Sequence, residues 1–242
     1  MRHILITAVT AVTLSLMMFS NAFAHMLWME KRNGDIGILY GHGLKLDPYD
    51  PEKIKDVKGF DSKGKAVEVV IVKQKESALI SPKGEAATIS ILFDGGYFVK
   101  TTEGGKKLTK REAKGNFEII ESFRSQKYSK VMLSPSDLFS KPLGLRLEIV
   151  PEKNPFAIKI GETLPIKVLF EGKPLEGAVV KAGCTYERKL KELPKTDKNG
   201  IANVAIEKSG NQIIGVSYKI PLKDDPDADV LSLSTNMTFE VK

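Results

Sequence analysis

Apolar and β-branched residues gather in short runs along the chain, each about five to eight residues long and bounded by Gly, Asn, Asp or Pro. That spacing is the pattern of strands rather than of helices. In the first half the runs fall at 36–40, 67–72, 88–93, 97–101, 117–123 and 128–133. Turn chemistry lies between them, and Asp94-Gly95-Gly96 between two β runs predicts a hairpin. Single helical turns are expected within 48–55 and 134–139, where Pro and Asp residues cluster. Residues 145–150 read as the last strand of the first half, and the polar stretch from Pro151 to Pro155 as a stiff linker.

The second half carries its own strand set at 163–170, 178–182, 201–206, 212–218 and 237–241. Two turn motifs set its register: Glu171-Gly172-Lys173-Pro174 links the first two strands, and Asn199-Gly200, which favours positive φ, precedes the third. Strands at this spacing over about 90 residues fit an immunoglobulin-like sandwich. The expected architecture is therefore all-β: two β-rich domains, residues 25–150 and residues 156–242, the second an immunoglobulin-like β-sandwich.

Residues 1–24 read differently. Arg2 precedes an apolar run over 4–19, and Ala22-Phe23-Ala24 is a small-residue cleavage pattern, so this segment is expected to be a signal peptide. The run is about long enough to cross a thin bilayer, which leaves an uncleaved anchor as the alternative. The expectation is a periplasmic or otherwise extracytoplasmic protein with no covalent lipid anchor apparent. The net charge is +7, one less after cleavage, and its lysines are dispersed among acidic residues. Without a basic block or interleaved aromatics, nucleic-acid binding is not expected. Cys184 is the only cysteine, so no internal disulfide forms; it reads as a buried inert thiol, with a metal thiolate or an intermolecular bridge as alternatives.

Cleavage after Ala24 would make His25 the first residue, and a histidine at a free N-terminus is a chelate of α-amine and imidazole. The mature chain has one other histidine, His42, between Gly41 and Gly43. Three nitrogens suit Ni(II), Co(II) or Cu(II). Spacing alone leaves open that both histidines are incidental. A hairpin of 26–31 with 36–41 turning at Asn33-Gly34 sharpens this, because in an unbulged two-residue turn position 25 faces position 42, with Cβ atoms ~5 Å apart. Met26, Asp47, Asp50 and Asp94 are further possible ligands without diagnostic spacing. The cluster Asp224, Asp225, Asp227 and Asp229 lacks the Gly and terminal Glu of an EF-hand loop and reads as an exposed, solvated hairpin tip. No nucleophile elbow or phosphate-binding loop is present, so a non-enzymatic role is expected.

Several pieces resemble one family: the start Ala24-His25-Met26-Leu27-Trp28, the Gly41-His42-Gly43 run, the stretch from Gly96 to Gly104, the run from Leu147 to Pro155, Gly172-Lys173-Pro174-Leu175, the stretch from Thr196 to Gly200, and the end Phe239-Glu240-Val241. The family is one of exported bacterial and archaeal domains of unknown function associated with energy-coupling-factor nickel and cobalt uptake transporters. The resemblance implies a two-part β protein that captures nickel or cobalt outside the membrane for a metal permease complex, with metal-linked histidines mapping onto His25 and His42. The alternatives are a copper-binding protein or oxidative polysaccharide-cleaving enzyme with an N-terminal histidine, and a structural envelope β-sandwich module.

Overall fold

The computed structural model describes residues 25–32 and 34–242. The expected signal peptide, with the question of cleavage or anchoring, lies outside the described residues, as does Asn33. No helix among the described residues is long and apolar enough to cross a membrane.

The chain is all-β. The first half holds β1 (Met26–Arg32), β2 (Asp35–His42), β3 (Lys45–Leu46), β4 (Ile54–Phe60), β5 (Ala66–Val67), β6 (Val69–Lys73), β7 (Ala78–Pro82), β8 (Thr88–Thr101), β9 (Gly104–Lys106), the helical turn α1 (Lys110–Ala113) and β10 (Ile119–Met132). The second holds β11 (Leu147–Pro151), β12 (Thr163–Phe170), β13 (Lys173–Pro174), β14 (Val180–Cys184), β15 (Lys191–Glu192), β16 (Ile201–Ala205), β17 (Gly210–Pro221) and β18 (Val230–Val241).

In the second half β12 pairs with β11, β13 and β16, and the facing sheet runs β15-β14-β17-β18. This division of strands is the Greek-key arrangement of an immunoglobulin-like sandwich. Period-two alternation fills its core: Leu164, Ile166 and Val168 of β12 pack with Val216, Leu233, Met237 and Phe239. In the first half the sheet β1-β2-β7-β6, with β3 beside β2, packs over β4, β8 and β10 through Leu27, Met29, Ile38, Ile89, Ile91 and Val131.

The two halves share one sheet. β10 pairs in parallel with β18 from Phe123↔Val230 to Val131↔Thr238, giving a nine-stranded sheet. The unpaired edge of β1 faces this junction: Asn236 Nδ2 donates to Leu27 O at 2.8 Å and Thr238 Oγ1 to Met29 O at 2.6 Å. Side chains of β18 thus satisfy backbone groups of β1.

Several local expectations are corrected. Asp94-Gly95-Gly96 is not a hairpin turn, because β8 runs through it. Asp94 pairs with Gln126 and Gly96 with Ser125, leaving Gly95 as the extra residue of a β-bulge. A Cβ on Gly95 would lie 2.9 Å from that of Ser125, and Gly96 has φ +82°. The strand expected to close the first half, β11, instead hydrogen-bonds to β12 as the first strand of the second sandwich. Of the expected helical turns only a short 3-10 turn at Pro51–Lys53 forms, capped by Asp50 accepting from Glu52 N; 134–139 is an irregular turn. The acidic loop is docked rather than freely solvated: Asp227 pairs with Arg111, Asp229 with Lys110 and Ser122, and Asp225 accepts from Tyr97.

Lys127, on the shared strand β10, is 7% exposed. It shares with Val131 the face of β10 beneath β1, and burial pushes its pKa down to about 8. Below that value a charge must be buried; the penalty fades as pH rises from about 8 through the ordinary lysine range. Lys127→Met is expected to raise stability at pH 7 by up to about 3 kcal/mol, an advantage that shrinks by pH 10. Urea unfolding at the two pH values checks this; a destabilised variant would contradict it.

Candidate metal centre

β1 and β2 pair without slippage from Met26↔Gly41 to Arg32↔Asp35, as a two-residue turn at 33–34 requires. Gly34 takes the positive φ of +95° that such a turn needs. One further step in this register sets position 25 against position 42, and the His25 and His42 ring centroids lie 5.1 Å apart. The structure therefore brings the two sequence-predicted residues together.

Two residues that spacing did not single out complete the arrangement. Tyr40 lies flat on the His25 ring, with centroids 5.0 Å apart and planes at 4°, and rests on Phe93 at 5.8 Å. Burial raises the Tyr40 pKa, and the charge of Asp47 adds to the effect, so the phenol stays protonated at neutral pH. Asp47, one of several carboxylates in the sequence, has its Oδ2 3.1 Å from His25 Nε2.

Asp47 is held in place by its backbone. Its N–H donates to Tyr40 O at 2.8 Å, just past the β2–β3 hairpin. Two residues on, the Tyr49 hydroxyl donates to Ile38 O at 2.9 Å and accepts from Ala78 N at 2.8 Å. It continues the ladder where β2–β7 pairing stops at Ile38↔Ala78. Burial pushes the Tyr49 pKa up to about 12, against a smaller opposing effect of its hydrogen bond with Ala78.

The glycines beside His42 have steric reasons. A Cβ on Gly41 would run into Lys45 O, while one on Gly43, at φ +55°, would lie 2.7 Å from Tyr186 O. The His42 loop thus touches the second half of the chain.

The other candidates serve the fold. Met26 packs against the buried Trp28, Leu39, Leu190 and Ile213. Asp50 caps the 3-10 turn, and Asp94 pairs with Arg124 at 2.9 Å. Cys184 is buried in β14, its thiol 3.9 Å from Ser209 O. Among the described residues no three His, Cys, Asp or Glu side chains are arranged to hold a metal ion.

Residues 22–220 match a family described as a domain of unknown function, DUF4198; the description makes no mention of nickel or cobalt transport. No curated protein matches. Among solved structures, the D0–D1 domain of intimin is similar at 13% identity over 89% of this chain and 97% of that one, with a TM-score of 0.23.

Proposed function

We propose that this chain, which belongs to the DUF4198 family, is an extracytoplasmic accessory protein that binds Ni(II) or Co(II) at its mature N-terminus and passes it to a membrane metal permease. The observation that carries this is the apposition of His25 and His42, rings 5.1 Å apart, where cleavage after Ala24 would free an α-amine. Two imidazoles and an amine form a nitrogen set suited to late first-row divalent ions. His25 keeps 44% of its side chain exposed, so the ion can be handed on. The role is capture and delivery, not catalysis.

Cu(II) would use the same donors, and by the general affinity order would bind more tightly in vitro. An oxidative polysaccharide-cleaving role is less well supported, because Trp28 is 1% exposed and offers no flat aromatic surface. The test is the intact mass of exported protein, followed by calorimetric titration with Ni(II), Co(II), Cu(II) and Zn(II). The expected result is a chain beginning at His25 that binds a single equivalent. Failure to bind any of the four would leave the structural envelope module as the reading.

A further inference from the structure

Resting on that reading, we infer that Asp47 is a positioning residue: it holds His25 through Nε2, so that the ion is taken by Nδ1 together with the α-amine. An imidazole has two nitrogens, and here they are not equivalent. Nε2 lies 3.1 Å from Asp47 Oδ2, an ion-pair contact, and the stack on Tyr40 sets the ring plane. Only Nδ1 can close a ring with the amine of the same residue, because amine, Cα, Cβ, Cγ, Nδ1 and metal form a six-membered chelate.

Metal-ligating histidines generally donate their other N–H to a carboxylate, which fixes the tautomer and makes the ligating nitrogen more basic. Asp47 stands where such a carboxylate belongs. It is pinned from behind by its own N–H on Tyr40 O and by the Tyr49 hydroxyl bridge. Asp47 is therefore a holder of the ring and not a ligand. His42 supplies its imidazole from across the hairpin, and no carboxylate enters the coordination sphere.

The experiment uses mature protein with ¹⁵N-labelled histidine at about pH 8, above the ordinary histidine pKa. Without metal, His25 should show the Nε2–H tautomer. On adding diamagnetic Zn(II), the Nδ1 resonance should move while Nε2 keeps its proton. Asp47→Ala should lower Ni(II) affinity by about 10–100-fold with thermal stability unchanged, and Asp47→Asn, which keeps an acceptor oxygen, should restore part of the loss. A metal shift on Nε2, an Nδ1–H tautomer in the metal-free protein, or wild-type affinity in Asp47→Ala would overturn this inference alone. Absence of metal binding by the wild type would overturn the functional reading and the inference with it.

Discussion

Replacing His42 by alanine is expected to weaken Ni(II) binding by the mature protein by about 100-fold or more. Loss of an outer carboxylate alone costs about 10–100-fold, and loss of a direct nitrogen ligand should cost at least that much. Blocking the α-amine should have a similar effect. A Gly-Ser-Gly-Ser extension before His25 does this cleanly. A single added residue does not, because histidine in second place can chelate anew through the preceding amide nitrogen. His42 lies at the end of β2, where pairing with β3 continues through its backbone (His42↔Lys45), so alanine should leave the ladder intact. Calorimetry on the two variants gives the result directly. If both bind as the wild type does, the ion sits elsewhere or nowhere.

The His25–His42 apposition was legible because everything that fixes it is local. The Asn-Gly sequence signals a two-residue connection, period two sets the faces, and seven successive pairs carry the register outward without a bulge. Asp47 and Tyr40 were harder to see. Asp47 reaches His25 only because a second hairpin folds back and Tyr49 bridges β2 to β7, pairings that no short spacing encodes. Asp94-Gly95-Gly96 misled for a related reason. Its residues suit a turn and a bulge alike, and the choice is made by β4 and β10 lying on either side of β8. α1 carried a readable sign, the reciprocal capping of Thr109 and Glu112, but no apolar helical run follows it. In the second half 163–170 and 201–206 came through nearly as expected, since β12 and β16 alternate and end before Gly-containing turns, whereas β18 begins at Val230, earlier than the expected 237–241, because its first residues alternate with Ser and Thr instead of forming an apolar run. The parallel joint of β10 with β18 was illegible: both strands read as ordinary, and their partnership spans about a hundred residues of sequence.

A buried ion pair lies on the same shared strand. Lys130 of β10 and Glu148 of β11 form an ion pair at 3.1 Å with side chains 4% and 1% exposed. Glu148 also accepts from the backbone N–H groups of Leu143, Gly144 and Leu145 at 2.8 to 3.1 Å. One carboxylate therefore fixes the segment that leads from the shared strand into the second sandwich. Burial lowers the Lys130 pKa, and Glu148 opposes the shift. Glu148→Gln removes the countercharge while keeping an oxygen for the backbone donors. It is expected to cost about 3–5 kcal/mol, the usual penalty for stranding one member of a buried pair. Adding Lys130→Met to that variant should recover more than half of the loss, because the stranded charge goes while the amide oxygen still serves the N–H groups. Urea unfolding of the single and double variants measures the coupling. A Glu148→Gln penalty below about 1 kcal/mol, within the range of an exposed pair, would mean that the charge is not what closes the joint. A double variant no more stable than Glu148→Gln alone would place the cost in the backbone cradle instead.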